Sequence, residues 1–426
     1  MSEQPRQRPL ATLKEPSFAL YAGSRFTSGM AMTLLQATVA FQIFQITDSA
    51  LQLGLIGLVR FLPSFSLSLF AGAVADRYDR RLVAMAATVV PLLCSLALGI
   101  TTATGVVTVG LIYGLIALVA VAAAFEAPAR QALLPALIRR EMLAAGITMG
   151  STVQSLSFVT GPTVAGLVIA TLSIDAAYFV HTALCVGSLV TLGSLRINSS
   201  EFRRTAISVA GIKEGVAFVW QRQVLLGSMT LDLFAVIFGG ASALLPIYAL
   251  EILEVGPRGY GILAASLEAG ALLMAIAMVL LPPIKKPGRA LLFTVVAFAL
   301  ATIVFGLSRS FPLSIAAYMG VGMADQISVV MRQTTVQLAT PDDLRGRVSS
   351  INMLFIGASN HLGAVESGFV AALTSATFAV VSGGVACLAV VGIVAAKMPE
   401  LRRYEGEGPK TDKTEEPVEQ LSPAAG

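Results

Sequence analysis

The sequence predicts an all-α membrane protein in which twelve transmembrane helices form two pseudo-symmetric six-helix bundles. Three observations predict it: the composition, the spacing of apolar segments and the placement of positive charge. Of 426 residues, 55% are hydrophobic and 13% are charged, about half the charged share of an ordinary soluble domain. A soluble core cannot absorb so much apolar surface, so lipid must be the solvent for much of the chain.

A spanning helix needs about 20 mostly apolar residues. Cutting at polar and turn-forming stretches gives a first set of six spans at 18–46, 50–75, 82–103, 105–128, 143–171 and 174–195. A second set lies at 224–253, 259–282, 288–308, 311–339, 344–373 and 376–397. Thr47-Asp48-Ser49 and the Pro287-Gly288 pair mark helix ends. The predicted organisation is a cytoplasmic segment over 1–17, an N-terminal bundle over 18–195 and a cytoplasmic linker over 196–223. A C-terminal bundle over 224–397 and a disordered tail over 398–426 follow. The opening stretch MSEQPRQRPLATLKEPS has no compact apolar run or cleavage site, so no secretory signal peptide is expected.

Charge sets the orientation. With residue 1 in the cytoplasm, cytoplasmic segments carry Arg6, Arg8 and Lys14, then Arg77, Arg80 and Arg81, then Arg130, Arg139 and Arg140. Further on they carry Arg196, Arg203, Arg204, Lys213 and Arg222, then Lys285, Lys286 and Arg289, and later Arg345 and Arg347. The other side has only Arg258 and Arg309. This is the positive-inside pattern, and an even number of spans puts both termini in the cytoplasm. The anionic inner leaflet accounts for the basic loops, so membrane lipids are expected partners and nucleic acid is not. Within 196–223, the stretch AISVAGIKEGVAFVWQRQ has apolar residues at helical spacing and predicts a helix lying on the membrane surface.

A weak internal repeat supports two halves. Arg25 follows Pro16 at the spacing at which Asp232 follows Gln223, and LPALIRREMLAAG before span five matches LATPDDLRGRVSS before span eleven. Such a repeat relates the bundles by an axis along the membrane normal.

The chemistry-bearing residue types exclude several functions. Cys94, Cys185 and Cys387 stand alone in apolar runs, without disulfide or zinc spacing. His181 and His361 lack ligand spacing, so no metal and no cofactor are expected. No phosphate-binding loop is present, which argues against ATP-driven transport by this chain alone. With no nucleophile, base or metal constellation, an enzyme is not expected.

Between spans two and three runs GAVADRYDRR, Gly72 to Arg81. It resembles the loop motif of the major facilitator superfamily, G-x-x-x-D-R-x-G-R-R. The sequence keeps Gly72, Asp76, Arg77, Arg80 and Arg81 and departs at Asp79, where the motif has glycine. Gly72 lets helices approach closely, and Asp76 can pair with an arginine or a helix N-terminus. Glu126 and Arg130 lie one helical turn apart around Pro128. The resemblance implies that they join Asp76 and Arg77 in an inner gate that forms in one state and breaks in the other; the alternative is an exposed i,i+4 pair. Span five holds Ser157, Gly161, Pro162, Ala165 and Gly166, similar to a degenerate glycine-rich exporter motif and equally readable as a helix-packing face.

LKEPSFALYAGSRF, ADRYDRR, RREMLAAGITM and TPDDLRGRVSS resemble the bacterial enterobactin exporter group within the superfamily. The resemblance implies a monomeric, proton-driven exporter of a small amphipathic molecule such as a siderophore, working by alternating access. A multidrug or macrolide exporter is the nearest rival, followed by an importer of the same fold and by a non-transporting sensor or scaffold.

Ionisable residues inside spans are functional candidates. They are Arg25, Arg60, Asp232, Glu268, Asp325, Arg332, His361 and Glu366. Asp325 and Arg332 share a face of span ten. Asp232 and Glu366 lead the candidates for proton coupling, with Asp325 next, while interhelical ion pairing is the structural alternative. Arg25, Arg60 and Arg332 would suit an anionic cargo. LIYGLIALVAVAAAF in span four carries no charge, so the central arginine of proton-coupled relatives is absent there.

Overall fold

A computed structural model describes residues 9–138, 142–195, 209–280, 284, 286–341 and 344–404. The first six long helices are α1 (Pro16–Thr47), α2 (Ala50–Arg77), α3 (Arg80–Ala103), α4 (Val109–Leu137), α5 (Leu143–Thr171) and α6 (Ile174–Gly193). A shorter helix, α7 (Val209–Gln221), leads into α8 (Gln223–Phe238). There follow α9 (Gly256–Leu280), α10 (Pro287–Leu307), α11 (Phe311–Ala339), α12 (Arg345–Leu373) and α13 (Ala376–Lys397).

Eleven stretches among the described residues are long and apolar enough to cross a membrane. The remaining long helix, α12, has 29 residues and is more polar, with Asn352, Asn360, His361 and Glu366 along it. Large apolar side chains such as Val279, Phe293 and Leu373 face outward, as a lipid-facing surface requires. The chain is a multi-pass membrane protein.

Local chemistry sets the helix ends. Pro16 opens α1, where its missing N–H costs nothing, and Asp48 closes it in the left-handed region, φ 49°. The hydroxyls of Thr108, Ser173 and Ser375 cap α4, α6 and α13 by accepting from the N–H groups of Leu111, Ala176 and Phe378.

The two halves repeat in backbone detail. α5 ends at Leu172 with φ −121° and ψ −92°, and α12 ends at Thr374 with φ −133° and ψ −92°. Each of these residues is followed by the capping serine of the next helix. Packing repeats too: α3 with α4 and α6, and α2 with α4, correspond to α10 with α11 and α13, and α9 with α11. The halves meet along α2 with α12 and along α5 with α9.

Two segments differ from the expected spans. Span four was expected to stop at Pro128, but α4 continues through it to Leu137, because one missing N–H removes one rung without ending a buried helix. Arg130, counted with the loop charges, therefore lies within the helix. Span seven was expected to be continuous, but α8 stops at Phe238 and the chain reaches Ile252 through short 3₁₀, α and π turns. Gly239 and Gly240 sit at the break. A Cβ on Gly239 would strike the Phe298 ring, and one on Gly240 would strike the Gly363 carbonyl and Ser367.

Residues 196–208 and 405–426 lie outside the described residues, and with them the first part of the expected linker and most of the expected tail. α7 packs through Val219 against Leu225, Met229, Val336, Leu344 and Val348 and leaves Trp220 exposed.

Two glycine pairs hold the halves together on the face away from the start of α1. Gly54 of α2 crosses Gly368 of α12, and Gly166 of α5 crosses Gly261 of α9, each so close that a Cβ would overlap the facing backbone. Beside them Tyr260 stacks on Phe41 at 5.6 Å and donates to the Ala37 carbonyl at 3.0 Å. Gly357 lies on the same side of α12 as Gly368, about 16 Å nearer the α1 start, and there nothing lies within 4 Å of where a side chain would begin. The halves are sealed on one face; at Gly357, towards the other, no described residue lies against α12.

A Gly261→Leu or Gly368→Leu variant should overpack the sealed face at a cost of about 1–3 kcal/mol, shifting the population away from this conformer roughly 5- to 150-fold. Spin labels at Val106→Cys and Leu307→Cys, one on each half, should then read a longer distance. An unchanged distance would show that the crossings do not hold that face shut.

Candidate functional site

A cavity of about 450 Å³ lies on the Gly357 side of the crossings, lined mainly by α1 and α4. From α1 come Arg25, Ser28, Met32 and Gln36, spaced to share one helix face. From α4 come Ile116, Val119, Ala123, Ala127 and Arg130, likewise on one face. Arg60, Gln154, His181 and His361 add polar groups from four further helices.

The best-connected group in the wall is Arg130. Its Nε donates to Glu126 Oε1 at 2.5 Å, Nη1 to Ser24 Oγ at 2.7 Å, and Nη2 to Ser188 Oγ at 2.8 Å and Thr88 Oγ1 at 3.3 Å. Ser28 Oγ donates to the same Glu126 oxygen at 2.9 Å. One guanidinium thus ties α1, α3, α4 and α6 together, and Arg130 is only 7% exposed. The pair is buried, contrary to the exposed i,i+4 alternative. A fork of rigid donors suits such a hub better than a flexible ammonium would.

The C-terminal half holds a counterpart. Arg332 stands at the same position counted from Phe311 of α11 as Arg130 does from Val109 of α4. It forms an ion pair with Asp232 of α8, and both side chains are buried. Asp232 occupies the position in its helix that Arg25 occupies in α1. The two halves therefore place arginines alike but draw the acid from different helices. Asp232, the leading candidate for proton coupling, faces Arg332 and is absent from the described cavity lining.

The remaining candidates are dispersed. Arg25 lines the cavity and donates through Nη1 to Tyr21 Oη at 3.2 Å. Arg60 lines it beside Tyr260 and His361. Glu268 and Asp325 lie within electrostatic reach of each other in the C-terminal half, and Asp325 forms no ion pair with Arg332. Glu366 accepts from Ser367 Oγ at 3.3 Å. Cys94, Cys185 and Cys387 are buried thiols.

Of the expected gate, the side chains of Gly72, Asp76 and Arg77 lie outside the described residues. The neighbouring positions are informative. Asp79 caps α3, accepting from the N–H groups of Arg81 at 2.8 Å and Leu82 at 3.4 Å. Its carboxylate also sits at the positive helix end. That is what the sequence gains by departing from glycine there. Arg81 donates to the carbonyls of Leu195 and Gly193 at the end of α6, a cation at a helix C-terminus.

Span five packs on both sides, as its small residues allow. A Cβ on Gly161 would overlap Thr33 and the backbone of Met30 and Leu34 in α1. Gly166 makes the crossing with α9, and Ala165 is fully buried.

Sequence reasoning missed Ser24, Thr88 and Ser188, because small hydroxyls in apolar runs usually bond to their own helix and give no signal. It also missed Gln36, Gln131 and Gln154, which a search for amides inside apolar segments would have found.

A two-half helical fold with a cavity set mainly in the N-terminal half and touched by His361 of the other is that of a membrane transporter of the major facilitator type. A family model described as transmembrane secretion effector matches residues 7–423, and the chain belongs to that family of efflux transporters. It resembles the multidrug efflux pump Tap of Mycobacterium tuberculosis, at 28% identity over 386 residues, 85% of this chain and 88% of Tap. It also resembles the enterobactin exporter EntS of Escherichia coli, at 25% identity over 419 residues, 96% of this chain and 99% of EntS. Among solved structures, a bacterial homologue of the human lysosomal transporter Spinster, inward-facing and unoccupied, shares the fold. Its TM-score is 0.66 at 15% identity, covering 94% of this chain and 98% of that chain.

Losing one partner of the Asp232–Arg332 pair leaves a buried charge uncompensated. Arg332→Met or Asp232→Leu alone should cost about 3–5 kcal/mol, and the double variant should recover most of it. Thermal unfolding of the purified protein in detergent checks this; a double variant no more stable than the worse single would show that the pair is not the source.

Proposed function

We propose that this protein exports a small amphipathic organic molecule across the cytoplasmic membrane, driven by protons and working by alternating access. The observation that carries the reading is a membrane-depth cavity on the open side of two halves that are sealed at the opposite face. With both termini cytoplasmic, as the loop charges predict, the open side faces the cytoplasm and is positioned to load cargo. Apolar walls suit the body of the cargo, and a few amides, imidazoles and arginines fix its orientation.

Glu126 becomes the leading proton carrier in place of Asp232. It lines the cavity and holds Arg130, so protonation would release the guanidinium from its one charged partner among the described residues. Asp232 is likewise paired with an arginine, but it is absent from the described cavity lining. Asp76, Arg77, Arg80 and Arg81 would close the cytoplasmic side in the alternate state. The two relatives differ in cargo, one being named for drugs and the other for enterobactin, and a siderophore-like molecule and a mixed drug cargo both fit a cavity of this size.

Uptake into inside-out vesicles, with and without a pH gradient, tests the reading. A panel of amphipathic dyes and a labelled siderophore should show gradient-dependent accumulation of at least one compound, and Glu126→Gln should lower it about tenfold, equivalent to about 1.4 kcal/mol. No accumulation of any compound would sink the export reading. Full activity in Glu126→Gln would remove that residue from coupling.

A further inference from the structure

We infer that the cavity selects cargo bearing negative charge, and that Arg25 and Arg60 recognise it. The inference rests on the export reading for what the cavity is, and adds the charge class of what it takes.

The argument is an accounting of charge. Among the described residues that line the cavity, the charged groups are Arg25, Arg60, Arg130 and Glu126. Glu126 is spent on Arg130 at 2.5 Å. Among the described residues no carboxylate lies within ion-pair distance of Arg25 or Arg60. Two positive charges therefore face the cavity without compensation. The imidazoles and amides that share the wall can hydrogen-bond but bring no negative charge.

The protein itself shows what an arginine held for structure looks like. Arg130 has an acid and three hydroxyls, and Arg332 has Asp232. Arg25 has one tyrosine hydroxyl and, among the described residues, no acid; its Nε is buried without a hydrogen-bond partner, as is that of Arg332, but Arg332 has a carboxylate to balance its charge. A guanidinium at membrane depth is costly when unpaired, and a buried donor left unmade adds to that cost. An anionic cargo supplies what both arginines lack, through charge-assisted hydrogen bonds. A cationic cargo would meet two like charges and an acid already engaged.

The rest of the wall describes the remainder of the molecule. Met32, Leu35, Ile116 and Val119 form apolar surface, and the volume of about 450 Å³ admits a drug-sized body. The class is an amphipathic organic anion, a carboxylate, sulfonate or acidic phenol carried on an apolar frame.

Fluorescein and rhodamine 6G share a xanthene frame and differ in the sign of their charge. Binding of each to the purified full chain in detergent, followed by fluorescence polarisation, tests the inference. Fluorescein should bind more tightly. Arg25→Gln and Arg60→Gln should each weaken it about tenfold or more, Lys at either position should keep part of the affinity, and rhodamine 6G should not weaken. Tighter binding of rhodamine 6G, binding of neither dye, or undiminished fluorescein binding in the double Gln variant would overturn it. If those variants aggregate, the preference of the unmodified protein between the two dyes still decides.

Transport separates this inference from the reading beneath it. Fluorescein bound while no compound is moved by vesicles under a pH gradient leaves the charge selection standing and removes export. Rhodamine 6G moved while fluorescein does not bind removes the charge selection and leaves export standing.

Discussion

Lipid offers no hydrogen bonds, so a polar group inside these helices and away from the cavity needs a partner on a neighbouring turn or helix. That constraint shapes the molecule more than any single contact. It explains why most hydroxyls inside the spans bond back to their own helix, as Thr38 does to Leu34 and Thr302 to Phe298. It also explains why the exceptions matter. Ser24 and Ser188 turn towards Arg130, Thr88 accepts from it while still donating to the Ala84 carbonyl, and the guanidinium they share ties four helices of one half together.

The same constraint divides labour between the halves. Their backbones repeat in turn geometry and packing, yet their charges do not. In the C-terminal half the acid comes from α8 and meets an arginine deep between helices, which staples α8 to α11. In the N-terminal half the corresponding α1 position carries Arg25, and the acid moves to α4, one turn from the arginine it serves. Where an acid would sit by symmetry there is a second cation, and the half gains a cavity with positive character. A duplicated scaffold has one copy closed around its charges and one that presents them.

Much of the fold was legible in the sequence because lipid imposes a length and a polarity on every span. The segments, the loop charges and the two-half organisation follow from those rules alone. The site was less legible. Pro128 read as a helix end, so Arg130 was assigned to a loop, although a proline within a membrane helix removes a rung without ending the helix. Asp232 looked like a coupling group because a carboxylate in an apolar run is conspicuous, while its partner lies a hundred residues on and cannot be paired by spacing. Asp79 looked like a defect in a motif until its two backbone hydrogen bonds showed a cap. Of the crossing glycines, Gly166 was marked by the small-residue run of span five, while Gly54, Gly261 and Gly368 carry no local signature; their meaning lies in which helix faces them.

Pro128 also has a mechanical consequence. It has no N–H, so the carbonyl of Ala124, which lines the cavity, receives no rung from it. α4 lacks a rung at that point. Glu126 and Arg130 sit on either side of the gap and clasp each other across it. The clasp works as a splint: a charge interaction supplies stiffness that the backbone lacks. Whatever draws Glu126 away therefore unlocks a joint as well as a charge, and at this position electrostatics and bending are one degree of freedom.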